Sequence, residues 1–477
     1  MTILRLAFLS ILSSLLLILG GPVAGKPNGL TIKLIHRDSP ASPLYPGKIT
    51  FIERIQRLVN QSKARASYLS SMISANTDQT NGSQSIHPNE AFRAPIAIQA
   101  MSTYMVRLGI GTFNATFPAR PFKTYHLHMD TGSALTWIQC QDCELPGNHC
   151  FPCREPPFPK TISRSYRALP CNLHPLCAPH QCIGDSCSYQ EKYMDGAATT
   201  GILSQEAFTF VSSSGRPQTI LNIVFGCSID STDMRYGDDD NQVSGVFGLG
   251  WGIRSFVKQI SYQSLYDGTF SYCLKFNDGH ALDTYLRFGP GISQPTTGLQ
   301  TTKLDQFKSS APYYIDLIGI SINGTRLSIN PALFLLQFDG SGGCIIDSGT
   351  TFTSIIRPAF DVVIRTFLLY FSSLPNMTRS RLFEGFFDLC YERSVPEGFR
   401  DLPGMTFHLS NADLEVRPEG AFFVKPLNSG KEVFCLAIVA DDHYSSLGAY
   451  QQTNQKFIYD IPRKQLQFAP ADCAQDA

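Results

Sequence analysis

The sequence runs to 477 residues, and its 39 Lys plus Arg are balanced by 39 Asp plus Glu, a formal net charge of zero. No global field therefore points to nucleic acid or an anionic membrane as a partner. Charged residues make up only 16% of the chain, alongside 11% aromatics, 37 Gly and 30 Pro. That composition argues against a disordered or long-helical protein and for a β-rich one with many turns, and the length predicts more than one compact unit plus processed segments.

In chain order, Arg5 precedes an apolar run from Leu6 to Leu19, and small residues follow around Ala24 and Gly25. The run is shorter than the roughly 20 apolar residues that span hydrocarbon, so residues 1–25 are expected to be a secretory signal peptide. Residues 26–95 read as a removable prosegment. They contain the run from Ile32 to Pro40, a basic, helix-patterned stretch from Phe51 to Leu69 and a polar segment from Ser74 to Asn89. Exposed small polar residues favour nicking, which puts the expected cleavage between about 75 and 100.

From Tyr104 onward, short runs rich in Val, Ile, Phe and Tyr alternate with Gly, Pro, Asn and Asp, the pattern of many short strands. Tyr104 to Ile110, Thr219 to Gly226 and Tyr314 to Ile322 are examples, and the helical candidates are Ser255 to Gln259 and Pro358 to Leu369. The apolar stretch from Ile355 to Leu374 is interrupted by Arg357, Asp361 and Arg365 and predicts an amphipathic helix, with no membrane span.

Fourteen cysteines after a secretory signal predict disulfides. Eight of them, from Cys140 to Cys187, look like a stapled loop region whose connectivity spacing alone does not give. The two C-x-x-C pairs among them, Cys140/Cys143 and Cys150/Cys153, leave a zinc module as a minor alternative. Sequons at Asn60, Asn81, Asn114, Asn323 and Asn376 mark candidate exposed, glycosylated loops. His126 and His128 share one face of a strand and read as packing or outward-facing residues, not catalytic ones.

Asp130-Thr131-Gly132-Ser133 is echoed 217 residues later by Asp347-Ser348-Gly349-Thr350-Thr351. One such triplet is an ordinary turn with Asp bonding its own backbone; two at lobe-sized separation form an internal repeat with a chemical rationale. Peptide hydrolysis without metal or covalent nucleophile needs two carboxylates that share one proton and hold a water between them. Two anions so close cannot both stay ionised in mild acid, a behaviour for which aspartic proteases are themselves the standard illustration. The ionised member activates water and the protonated member polarises the carbonyl; which Asp does which is a property of the coupled pair. Glycine at 132 and 349 allows a sharp turn and a close approach, and Ser133 and Thr350 are placed to orient the carboxylates.

On these motifs the chain resembles the pepsin-family aspartic proteases, in their plant nepenthesin-like branch, from about Leu30 to Cys473. Trp137 stands where that family braces a flap tyrosine, Tyr193-Met194-Asp195-Gly196-Ala197 resembles the flap tip, and Val246-Phe247-Gly248 and Ser446-Leu447-Gly448 resemble the elements behind each Asp loop. Cys140 to Cys187 is similar to the branch's insertion, and Leu34 to Pro40 to its prosegment. The resemblance implies an all-β, bilobal fold with a pseudo-twofold axis and few short helices, with lobes at 96–297 and 298–477. It implies a secreted, acid-active endopeptidase made as a zymogen, apoplastic or vacuolar. The catalytic pair would be Asp130 and Asp347, supported by Thr131, Gly132, Ser133, Ser348, Gly349 and Thr350, with Tyr193 and Trp137 at the flap. Protein or peptide substrates, a monomer, and no cofactor, metal or nucleic acid complete the expectation. A basic prosegment residue is expected in the acidic cleft, with Lys33, Arg37 and Arg54 as candidates.

Departures from the branch pattern are Ala134, Met194, Ala197 and Ala449, together with two additional cysteines, Cys153 and Cys344, which either pair with each other or stay reduced. None of these changes touches the two carboxylates. The alternative reading is a catalytically weak or inactive binding or inhibitor protein on the same fold.

Overall fold

A computed structural model describes most of residues 29–65 and 104–475; the stretches 115–119, 193–197, 212–216, 233–242 and 276–283 and some single positions lie outside the description. The expected signal peptide, cleavage region and flap tip, Tyr193 included, therefore fall outside the described residues.

The described chain is mostly β. A 15-stranded sheet holds the N-terminal half together, and three smaller sheets of five, four and four strands carry the C-terminal half. The two halves are joined in the large sheet itself. Its strand Thr269–Cys273 pairs antiparallel with Gln455–Asp460 near the C-terminus, and the disulfide Cys273–Cys473 closes the same seam.

The predicted strands hold in detail. Tyr104–Ile110 forms as read, with every residue but Arg107 buried, so one strand is covered on both faces. Thr219 to Gly226 lies within the longer strand Pro217–Thr232. The run from Tyr314 to Ile322 is split at Asp316 into Tyr313–Ile315 and Leu317–Ile322, which belong to different sheets. Helices occur where the pattern put them. Phe256–Tyr262 is N-capped by Ser255, whose side chain accepts from the Lys258 N–H at 3.3 Å. Arg357–Ser372 has Pro at its first turn and buries Ala359, Phe360, Val363, Phe367 and Phe371, one face at 3–4-residue spacing. Among the described residues no helix is long and apolar enough to cross a membrane.

The repeat seen in the sequence is a repeat of local topology. Gly245–Gly248 pairs parallel with Lys123–Asp130 and antiparallel with Trp137–Gln139. Ser445–Leu447 does the same with Cys344–Ile346 and Thr353–Ile356. In each half a threonine six residues past the Asp, Thr136 or Thr353, accepts the N–H of Gly248 or Gly448 at 3.1 and 3.0 Å. A Cβ on Gly248 would stand 2.4 Å from the Ala134 carbonyl oxygen, and one on Gly448 2.6 Å from the Phe352 carbonyl carbon. Both positions need glycine because backbone passes directly against backbone.

The described residues between 29 and 65 are built into this fold. Leu30–His36 pairs with Thr284–Phe288 on one side and Tyr104–Ile110 on the other. Residues 53–60 are helical, and their start is a capping box: Thr50 Oγ1 accepts the Glu53 N–H at 3.2 Å while Glu53 accepts the Thr50 N–H at 2.7 Å. The buried Ile55 and Val59, four apart, pack on Phe352, Phe383, Phe387 and Phe423.

Six disulfides form: Cys140–Cys227, Cys143–Cys150, Cys171–Cys182, Cys177–Cys187, Cys273–Cys473 and Cys390–Cys435. Their pairing leaves no thiolates for the zinc alternative in the 140–187 stretch beyond the lone Cys153. Cys153 and Cys344 remain unpaired, the latter buried. Asn114, Asn323 and Asn376 are exposed, as expected of sequon positions, whereas Asn60 is half-buried on the helix. His128 is buried, and His126 Nδ1 lies 2.7 Å from Glu155.

Candidate active site

Asp130 is the last residue of Lys123–Asp130, and Asp347 follows immediately on Cys344–Ile346. Each strand thus delivers its carboxylate to the middle of the molecule, where both are buried at 1% and 0% exposure. The two loops bond the carboxylates identically. Gly132 N–H and Ser133 Oγ donate to Asp130 at 2.8 and 2.5 Å; Gly349 N–H and Thr350 Oγ1 donate to Asp347 at 2.9 and 2.7 Å. The loops also lock each other. Ser348 N–H donates to Thr131 Oγ1 at 2.8 Å, and Thr131 N–H to Ser348 Oγ at 3.2 Å.

The two glycines are explained by approach, and the expected sharp turn is not the reason. Neither has positive φ. A Cβ on Gly132 would lie 2.8 Å from Asp347 Oδ1, and one on Gly349 2.6 Å from Asp130 Oδ1. Any side chain at either position would push the opposite carboxylate away.

A third group sits between the carboxylates. Arg65, fully buried, donates through Nε to Asp347 Oδ2 at 2.9 Å and through Nη2 to Asp130 Oδ1, with a longer Nη2 contact of 3.4 Å to Asp347 Oδ1. A planar guanidinium suits this task because its fork of donors reaches two carboxylates at once. Upstream contacts hold it there: Phe352 N–H donates to Ser62 Oγ at 2.8 Å, and Lys63 Nζ to the Gly385 carbonyl at 3.1 Å. The three cations named from sequence are elsewhere. Lys33 is exposed on its strand, Arg37 is buried in the turn that follows, and Arg54 pairs with Asp38 at 3.6 Å. Their positions in the chain gave no hint that the helix would carry the residue a further turn or more downstream into the cleft.

The two carboxyls are pushed in opposite directions. Burial raises Asp130, Arg65 opposes it, and the Asp347 charge raises it further; the outcome is a pKa above the ordinary range. Burial also acts to raise Asp347, but the Arg65 charge and the hydrogen bonds from Arg65, Thr350 and Gly349 outweigh it, holding that group below the ordinary range.

Trp137 is buried with Leu135, Phe151, Leu169, Tyr189, Leu203, Val224 and Val246, and meets Phe151 edge-on at 6.0 Å. It therefore lies under the hairpin formed by the paired strands Ser186–Lys192 and Ala198–Val211. No cluster of His, Cys, Asp and Glu suited to a metal is present among the described residues.

Comparison with known proteins agrees with this architecture. Residues 104–290 match the domain described as xylanase inhibitor N-terminal, and 312–470 the one described as xylanase inhibitor C-terminal. Aspartic proteinase nepenthesin-1 of Nepenthes gracilis is 32% identical over 94% of this chain and 91% of its own. Aspartyl protease family protein 2 of Arabidopsis thaliana is 29% identical over 94% and 86%. Among solved structures, that of edgp superposes with a TM-score of 0.61 at 18% identity, covering 80% of this chain and 95% of its own, and that of basic 7S globulin from soybean with 0.59 at 16%, covering 78% and 95%. With its two interlocked Asp loops, its bilobal sheets and this degree of identity, the chain belongs to the pepsin-like aspartic protease family, alongside the nepenthesin-like plant members.

Proposed function

We propose that the protein is a secreted aspartic endopeptidase, made as a zymogen, that hydrolyses peptide bonds at acidic pH through Asp130 and Asp347. The observation that carries this reading is the pair of buried carboxylates with matched donor sets, facing one cation supplied by the region before Tyr104. Each carboxylate keeps its outer oxygen bonded to a hydroxyl and its inner oxygen to a backbone N–H. With Arg65 withdrawn, the inner oxygens are left to hold a water. The pair then shares one proton: the ionised partner takes a proton from the water as it attacks the scissile carbonyl, and the protonated partner polarises that carbonyl oxygen. Ser133 and Thr350 keep the carboxyl planes fixed while the proton moves.

Residues 26–95 act as the prosegment in this scheme, and Arg65 is its inhibitory residue. Acidification supplies protons to the carboxylates, the charges that hold Arg65 disappear, and the prosegment is released and cut away, between about residues 75 and 100. The mature protein is then 96–297 and 298–477, a monomer acting on extended protein or peptide chains under a flap that carries Tyr193.

A second reading, a binding or inhibitor protein on this fold, has support in the xylanase-inhibitor descriptions of the two matching domains. The deciding experiment is cleavage of a denatured protein between about pH 3 and 6 by acid-processed material, with Asp130→Ala and pepstatin-treated samples as controls. Cleavage lost in both controls is expected; a correctly folded, fully processed protein that cleaves nothing would sink the protease reading and leave the binding one.

A further inference from the structure

Beneath the two carboxylates, a chain of buried polar groups runs from one Asp loop to the other. Tyr272 donates to Gln452 Oε1 at 2.5 Å, and the Tyr272 and Tyr459 hydroxyls lie 2.8 Å apart. A phenol has a single proton, so with Tyr272 committed to Gln452, the proton between the two tyrosines belongs to Tyr459. The Tyr459 oxygen is then left to accept, and the Thr131 side chain neighbours it. At the far end Gln452 Nε2 donates to the Leu447 carbonyl at 2.7 Å, the same carbonyl that accepts the Asp347 N–H at 3.1 Å. Thr131, Tyr272, Gln452 and Tyr459 are each fully buried.

The donors run one way, from Tyr459 to Tyr272 to Gln452 to the carbonyl that holds the Asp347 N–H. The Thr131 oxygen accepts the Ser348 N–H. The scaffold beneath is stiff. Tyr459 stacks on Phe270 at 4.5 Å, and Tyr313 packs against it at 5.0 Å. Burial pushes the pKa of both phenols up, that of Tyr459 well above its usual value, so neither ionises while the carboxylates titrate.

We propose that Tyr459, Tyr272 and Gln452 are positioning residues for the dyad. They fix the seat of the Asp347 loop, so that the two carboxylates stay at the separation at which one proton is shared. The proposal rests on the protease reading above. None of the three is exposed to the cleft, so their effect belongs in the chemical step and not in substrate binding. Small displacements of reacting groups cost large factors in rate.

The test compares acid-processed wild type with Tyr459→Phe, and with Tyr272→Phe should the first fail to fold. The expected result is a kcat lower by about tenfold at nearly unchanged KM, with the acid and alkaline limbs of the kcat profile drawn closer together because a looser pair is less coupled. A lower melting temperature with kcat and both limbs intact would overturn it, leaving only a structural role. Wild type that cleaves nothing would end the protease reading instead, and hydrogen exchange in the full unprocessed chain then decides the positioning claim: faster exchange of the Ser348 and Asp347 N–H groups in the variants supports it, unchanged exchange overturns it.

Discussion

Removing the charge of Arg65 is the sharpest perturbation of the proposed inhibited state. Arg65→Met keeps much of the buried apolar stem and deletes the guanidinium that bonds Asp130 and Asp347. Breaking one side of a buried ion pair costs about 3–5 kcal/mol. Here the lower end applies, because the abandoned carboxylates can share a proton and relieve part of their repulsion. A loss of about 3 kcal/mol is a little over two decades in the docking equilibrium, so the open population of the intact chain should rise about 100-fold. The assay is hydrolysis of a quenched peptide by the unprocessed chain near pH 6, with intact mass confirming that no cut has occurred, alongside the pH at which processing begins. Arg54→Met, which breaks a partly exposed pair with Asp38, serves as comparison and should move either quantity only slightly. An Arg65→Met chain as silent as wild type, and processed over the same pH range, would refute the assignment of Arg65 as the inhibitory contact.

Other outcomes follow from the same geometry. Asp130→Asn and Asp347→Asn should each reduce hydrolysis by processed protein to background, because one carboxylate cannot both activate water and polarise the carbonyl. Gly349→Ala should leave a folded chain with little activity, its Cβ lying 2.6 Å from Asp130 Oδ1; activity near wild type would contradict the close-approach argument. His36 gives a pH prediction. Burial pushes its pKa down to about 4, Asp38 raises it, and Arg54 and Arg37 lower it; Nδ1 accepts the Asp38 N–H at 3.1 Å, and the ring meets Tyr104 edge-on. The undocked ring takes its proton near 6.5 and the docked ring only near 4, so docking is strongest above 6.5 and weakens progressively as pH falls to about 4, by about 3 kcal/mol in all. In His36→Gln, the release rate of the proposed prosegment should be flatter over that window, measured by stopped acidification and mass. Replacing Cys273 and Cys473 by Ala should lower thermal stability by about 2–5 kcal/mol, read by calorimetry, since that bond closes 200 residues of chain.

Much of this molecule was legible because its information is local. The Asp-Thr-Gly and Asp-Ser-Gly triplets, their hydroxyl partners three residues after each Asp and the strand runs leading into them can be read residue by residue, and the helix over Arg357–Ser372 announces itself through its apolar spacing. What escaped is nonlocal. Arg65 is one of several cations in a basic stretch, and only the docking of Ile55 and Val59 on the C-terminal half selects it. Tyr272 stands 180 and 187 residues before Gln452 and Tyr459, and all three look like ordinary strand and turn residues. Their convergence under the dyad depends on the pairing of Thr269–Cys273 with Gln455–Asp460, which no periodicity encodes. Cys140 joins Cys227 rather than a neighbour in its own cluster, for the same reason.

The strand Leu30–His36 makes five paired positions with Thr284–Phe288 and three with Tyr104–Ile110. On the proposed processing route it is discarded, so maturation opens a slot inside a finished sheet, with a row of backbone donors and acceptors along each lip. Those groups must find new partners in water or in another length of chain. The precursor therefore has a piece of its own scaffold that the product lacks. A processed molecule that unfolds has lost part of the pattern from which it was assembled, and its lifetime is then governed by how slowly it comes apart and not by how readily it reforms.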